Sequence, residues 1–142
     1  MSRALSPDDR RFSEDFAAGR IEPGAFDHRA HIRLAYTFLA EHDTETALTL
    51  MRDALLAFIR RNDVPVAKYH ETLTQAWILA VRHFMAITPA AESSAEFIAL
   101  NPQMLDAKIM LTHYSAEVLF SPEARARFVE PDLEKIPRHE PS

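Results

Sequence analysis

Residues 26–42 read FDHRAHIRLAYTFLAEH and carry the pattern that decides the fold. If Asp27 caps a helix at its N-terminus, residues 28–41 advance by about 100° each, and their apolar members form one stripe. Similar apolar stripes at three-four spacing recur in residues 45–61 and 69–87. The sequence therefore predicts several amphipathic helices that pack their apolar faces together.

The glycine and proline content points to the same class of fold. The chain has two glycines and nine prolines. The prolines lie near segment edges, and no stretch alternates strictly between apolar and polar residues as a half-buried strand would. We therefore expect an all-α protein, a compact bundle of five to six helices. Residues 130–142, EPDLEKIPRHEPS, contain three prolines and little to bury, so we expect an extended surface arm or a disordered tail.

Length and composition bound the class of protein. A chain of 142 residues with 47% hydrophobic content can bury a core, so we expect one domain over residues 1–142. The absence of cysteine excludes thiolate metal ligands, disulfides and cysteine nucleophiles, and it favours the cytoplasm. A net charge of −5 argues against nucleic-acid binding. No signal-peptide core or membrane-spanning apolar run is present, so we expect a cytoplasmic protein without membrane contact.

Histidines on the apolar faces of two helices form the candidate site. His28 and His31 fall within the apolar stripe of their helix, and His70, in the stretch KYHETLTQAW, points into the apolar stripe of the helix over residues 69–87. Histidines three apart on one helix can share an ion, and a nitrogen from a neighbouring helix would complete the site. We therefore predict that His28, His31 and His70 bind a divalent transition metal between the helices.

The ligand types do not choose the metal. Zinc, iron, nickel, copper and manganese all accept imidazole and carboxylate ligands. Glu71 is the candidate catalytic residue, because a carboxylate beside a metal can move protons for a bound water or substrate. It could also be a fourth ligand or hydrogen-bond a metal ligand. Asp27 could orient His28, although its local sequence favours the helix cap.

Other polar and aromatic residues are assigned by their position. Tyr69 and His113 are candidates for binding a cofactor or ligand near the histidines. Trp77 is expected in the core, and His42 at a helix C-terminus. His83 and His139 are expected to face solvent.

Two further hypotheses explain the same residues without a metal. In the first, the histidines and Tyr69 hydrogen-bond a small molecule, acidic ligands included, in an apolar pocket. In the second, the histidines form a satisfied polar network in the core or at a homodimer interface.

Three sequence blocks lie between Phe26 and Pro137: FDHRAHIRLAYTFL, KYHETLTQAW and HYSAEVLFSPEARARFVEPDLEKIP. They resemble the ordered blocks of a group of small, uncharacterised bacterial helical proteins. The resemblance implies membership of that group. It implies no reaction, since no activity is established for the group.

Overall fold

A computed structural model describes residues 5–139, which are mostly helical, with no β-strand among them. Seven α-helices form in this part of the chain: α1 (Pro7–Ala17), α2 (His28–Glu41), α3 (Thr44–Arg61), α4 (Glu71–Ile87), α5 (Ser94–Leu100), α6 (Ala116–Leu119) and α7 (Pro122–Ala126). Four short 3₁₀ helices connect them, at Pro23–Ala25, Val66–Lys68, Pro102–Leu105 and Ala107–Thr112. Across residues 5–139, no helix combines the length and apolarity needed to cross a membrane.

Side-chain caps set where the helices begin. The Asp27 carboxylate accepts a hydrogen bond from the Ala30 N–H at 2.9 Å, which confirms the predicted start of α2. Ser6, Ser93 and Ser121 cap α1, α5 and α7 in the same way. Each cap satisfies a backbone N–H that lacks a partner in the first turn. These boundaries are therefore properties of the local sequence.

Helix α2 is the centre of the bundle and packs against α1, α3, α4 and α5. Ile32, Leu34 and Tyr36 are fully buried on it, and each such apolar side chain contributes about 1.5–3 kcal/mol to the hydrophobic term. Tyr36 stacks on Phe97 of α5 with ring centroids 4.9 Å apart. Trp77 of α4 is buried, as predicted. The expected compact all-helical bundle is confirmed.

A buried aspartate fastens α1 to two other helices. Asp9 accepts hydrogen bonds from the Ser94 hydroxyl at 2.5 Å and its N–H at 2.7 Å, and from Arg33 Nε at 2.9 Å. Burial alone would raise the pKa of this carboxyl, but the bonds from Ser94 and Arg33 outweigh it and lower the pKa. Asp9 is therefore held as a paired carboxylate.

The segment over residues 102–112 is not one regular helix, although Asn101 followed by Pro102 is a typical helix start. It forms two 3₁₀ helices separated by Asp106, whose backbone is extended. The Asp106 carboxylate accepts the Lys108 N–H at 3.0 Å and so caps the second segment. This local cap competes with a continuous helical ladder.

The C-terminal arm, residues 127–139, lies extended along the bundle. Tyr114 donates its hydroxyl to the Val129 carbonyl at 2.5 Å, and the Leu133 N–H donates to the His113 carbonyl at 2.9 Å. Ile136, within the arm, is buried. The predicted extended arm is confirmed. The prediction of an arm or a disordered tail covered residues 130–142, and the last three of these, residues 140–142, lie outside the described residues.

Candidate functional site

His28, the first residue of α2, is held in one orientation by a main-chain carbonyl. Its Nε2 lies 2.8 Å from the Met104 carbonyl oxygen, and its ring packs edge-on against Trp77 with ring centroids 4.8 Å apart. A carbonyl oxygen only accepts, so Nε2 carries a proton, and in the neutral ring Nδ1 carries the lone pair. Within residues 5–139 no group donates a hydrogen bond to Nδ1. His28 therefore presents an oriented, unused nitrogen.

His31 lies one turn further along α2 and is half-buried. No hydrogen bond joins its ring to another group in the described part of the chain, and its nearest aromatic neighbour is Phe26, with ring centroids 5.9 Å apart. Burial, with a smaller contribution from neighbouring His28, lowers the pKa of His31 to about 4. His31 is therefore a neutral imidazole at physiological pH.

Three phenylalanines form an aromatic wall beside His31. Phe26 contacts Phe16 with ring centroids 4.9 Å apart and Phe58 at 5.1 Å, and the latter two rings stack on each other at 5.1 Å. These residues come from α1, from the connection before α2 and from α3. Through Phe26 this wall contributes to the burial that disfavours the charged form of His31.

His70 lies at the start of α4, where its side chain serves as the helix cap. The helix begins at Glu71, later than the sequence predicts, and His70 Nδ1 accepts the Leu73 N–H at 3.1 Å. Its Nε2 donates to the Leu119 carbonyl at 2.7 Å. Burial lowers the pKa of His70, which favours this neutral form. Both ring nitrogens are therefore used within the chain.

Glu71 is also fully engaged. Arg52 donates to its carboxylate from Nε at 2.9 Å and from a terminal nitrogen at 2.5 Å, and the Tyr69 hydroxyl and Gln75 amide donate at 2.7 and 2.6 Å. Burial alone would raise the pKa of Glu71, but these bonds outweigh it and lower the pKa. Burial and the bond to Glu71 raise the pKa of Tyr69 to about 12. The Tyr69 hydroxyl is therefore a donor already committed to Glu71.

The predicted site residues thus divide into separate environments. His28 and His31 share the first turns of α2, whereas His70 and Glu71 have their own partners within the fold. His113 lies beside the arm, where its Nδ1 donates to the Glu134 carbonyl at 2.6 Å. Over residues 5–139 no group of three or more His, Cys, Asp or Glu side chains is arranged to hold a metal ion. Metal binding stays a prediction.

One pair of histidines was not expected. His83 of α4 and His139 of the arm are predicted to face solvent, but His83 Nδ1 lies 2.9 Å from His139 Nε2. Their ring planes are 20° apart. The pair exists because the arm returns across α4, and the local sequence around either residue holds no signal of that return.

Comparison with known proteins adds no assignment to this site. No family model matches the sequence, and no significant match was found among the curated proteins or the solved structures. The resemblance to small bacterial helical proteins therefore stays a prediction.

Proposed function

We propose that His28 and His31 together bind a divalent transition metal ion, with zinc, iron, nickel, copper and manganese as the candidates. The observation that carries this proposal is the state of His28. A metal-binding imidazole usually donates its other N–H to a carbonyl or carboxylate, which orients the ring. The bond from His28 Nε2 to the Met104 carbonyl supplies that support and leaves Nδ1 able to bind an ion.

His31 supports the same proposal from the neighbouring turn. Residues three apart on a helix lie on one side of it, and metal ligation requires a neutral imidazole. Its pKa of about 4 keeps His31 neutral, and its ring has no hydrogen-bond partner within residues 5–139. It therefore needs neither deprotonation at neutral pH nor the loss of a hydrogen bond before it binds an ion.

The proposal contains two protein ligands, because His70 uses both of its ring nitrogens. Two imidazoles leave coordination positions for water or a substrate oxygen, and an ion so held would supply Lewis-acid chemistry. Glu71 would join such chemistry only after release from Arg52 and Tyr69. We therefore propose a metal-binding protein and leave its reaction open.

The test is a titration of untagged, chelator-stripped protein with each of the five metal ions, followed by calorimetry. We expect His31→Ala to lose one equivalent of bound ion. The matched control is His42→Ala, which removes an exposed histidine from the other end of the same helix and should lose none. Unchanged stoichiometry and affinity in His31→Ala would overturn the proposal.

The aromatic wall favours a second candidate, a small-molecule site that needs no metal. The half-buried ring of Phe26, backed by the buried Phe16 and Phe58, offers an apolar surface, and the neutral ring of His31 offers a hydrogen-bond donor and an acceptor beside it. Thermal-shift measurements with benzoate, benzamide and indole in excess EDTA would test it. Stabilisation that disappears in His31→Ala supports this candidate, and no shift with any of the three probes counts against it.

A further inference from the structure

The His83–His139 contact joins the C-terminal arm to α4 through two imidazoles. The 2.9 Å separation and nearly parallel ring planes allow an N–H of one ring to donate to the lone pair of the other. Two neutral imidazoles can share one such proton. If both rings were protonated, two cations would face each other at this distance.

A third histidine lies close to this pair. His113 donates Nδ1–H to the Glu134 carbonyl at 2.6 Å, so in the neutral ring Nε2 carries the lone pair. Burial lowers the pKa of His83, and the neighbouring His139 and His113 lower it further. Imidazoles from three elements therefore come to one region of the surface: α4, the residue after the 3₁₀ helix Ala107–Thr112, and the arm.

We propose that His83 Nδ1 and His139 Nε2 form a second metal site, for Zn²⁺ or Cu²⁺, which fastens the end of the arm to α4. Imidazole nitrogen suits these ions, whereas Mg²⁺ and Ca²⁺ prefer oxygen ligands. Zinc–nitrogen bonds of about 2.0–2.1 Å at a tetrahedral ion require ligand nitrogens only slightly further apart than this pair. Both rings would turn so that their lone pairs converge on the ion and no longer on each other.

When the metal replaces the shared proton, that proton stays on one of the two rings. Before binding, one of the two contacting nitrogens carries a proton and the other carries a lone pair. On binding, the protonated ring moves its proton to its second nitrogen through water, and both contacting nitrogens become ligands. No redox change is needed, and no net proton is released when both rings start neutral.

The arm has other attachments, so the effect of this site is local. The Leu133 N–H donates a hydrogen bond to the His113 carbonyl, and the Asp132 carboxylate accepts the Ser115 N–H at 2.9 Å. The side chain of Ile136 is buried. His139 lies beyond these contacts. Metal binding should therefore hold the chain after Ile136 against α4 and leave the rest of the arm as it is.

The experiment uses full-length, untagged protein stripped of metal, in the His31→Ala background so that the site on α2 does not contribute. We expect calorimetry to show one remaining equivalent of Zn²⁺ or Cu²⁺. Bound Cu²⁺ should show electron paramagnetic resonance couplings from two imidazole nitrogens. Adding His139→Ala or His83→Ala should remove that equivalent, and adding His42→Ala should not.

Trypsin reports the effect on the arm separately, since cleavage after Arg138 falls between Ile136 and His139. In the His31→Ala protein, Zn²⁺ should slow this cleavage several-fold, and in His31→Ala/His139→Ala it should have no effect. The absence of any bound ion in His31→Ala, or an equivalent that survives His139→Ala, would overturn this second site. Neither result would bear on the site at His28 and His31.

Discussion

The ring of His70 joins the start of α4 to the carbonyl of Leu119, 49 residues later in the chain, at 2.7 Å. The other ring nitrogen caps α4 by accepting the Leu73 N–H. One side chain therefore begins a helix and attaches α6 to it. A histidine with the appearance of a ligand in the sequence is a structural link between two parts of the fold.

Replacing His70 should separate its two roles. His70→Ala should cost about 2–4 kcal/mol of unfolding free energy, because it removes a helix cap and leaves the Leu119 carbonyl unpaired. His70→Asn should cost less, about 1–3 kcal/mol, since asparagine can still cap the helix but is too short to reach Leu119. Urea denaturation measures both. Equal stability of all three proteins would contradict this assignment.

The Arg52–Glu71 pair should be strongly coupled. Removing Glu71 leaves the Arg52 guanidinium and the Tyr69 hydroxyl without their shared acceptor. Because Arg52 is about one third exposed, we expect Glu71→Ala to cost about 2–3 kcal/mol, somewhat less than a fully buried pair. A double-mutant cycle with Arg52→Ala checks the coupling. Additive losses in that cycle would show that the two side chains act independently.

Acid should destabilise the protein through His31. Its folded pKa of about 4 lies below the ordinary 6.5, so the unfolded state binds the proton more readily. The stability that neutral His31 contributes to the folded state is fully present above pH 6.5 and is lost as the pH falls towards 4. We expect the free energy of unfolding to fall by about 1–3 kcal/mol, which is less than for a fully buried histidine because His31 is partly exposed. Denaturation at several pH values in EDTA measures it, and His31→Gln should flatten that part of the profile.

Two neighbouring aspartates on α1 provide a matched comparison. Asp9 is buried against Ser94 and Arg33, whereas the side chain of Asp8 is mostly exposed. Asp9→Asn should cost about 2–4 kcal/mol because it breaks a buried, charged hydrogen-bond network. Asp8→Asn should change stability by less than about 0.5 kcal/mol. Thermal melts of the two variants test the difference, and similar losses would mean that the network contributes little.

The two glycines should respond differently to alanine. Gly19 has a φ of +78°, and an added Cβ would lie 2.6 Å from Arg61 Cδ, whereas Gly24 has open space around it. Gly19→Ala should cost about 1–2 kcal/mol from left-handed backbone strain, and the Arg61 side chain must also move. Gly24→Ala should be neutral or stabilising by up to about 1 kcal/mol. Chemical denaturation ranks the two variants, and the reverse order would contradict this account.

The sequence alone predicts the helical class, the central helices and the Asp27 cap of α2. Asp27 accepts the N–H of Ala30 three residues later, and apolar spacing depends only on a regular helical twist. These features are local, so they can be read from neighbouring residues. The sequence also identifies His28 and His31 as histidines of one apolar face.

Only the tertiary structure decides what each histidine contacts. His28 meets the Met104 carbonyl across 76 residues, His70 meets Leu119 across 49, and His83 meets His139 across 56. No local pattern encodes these partners, because a ring's neighbours depend on how distant segments cross and on which carbonyls those segments leave unpaired. Helical periodicity thus selects the face on which a histidine lies. Long-range packing determines whether its nitrogens are used by the fold or remain able to bind a ligand.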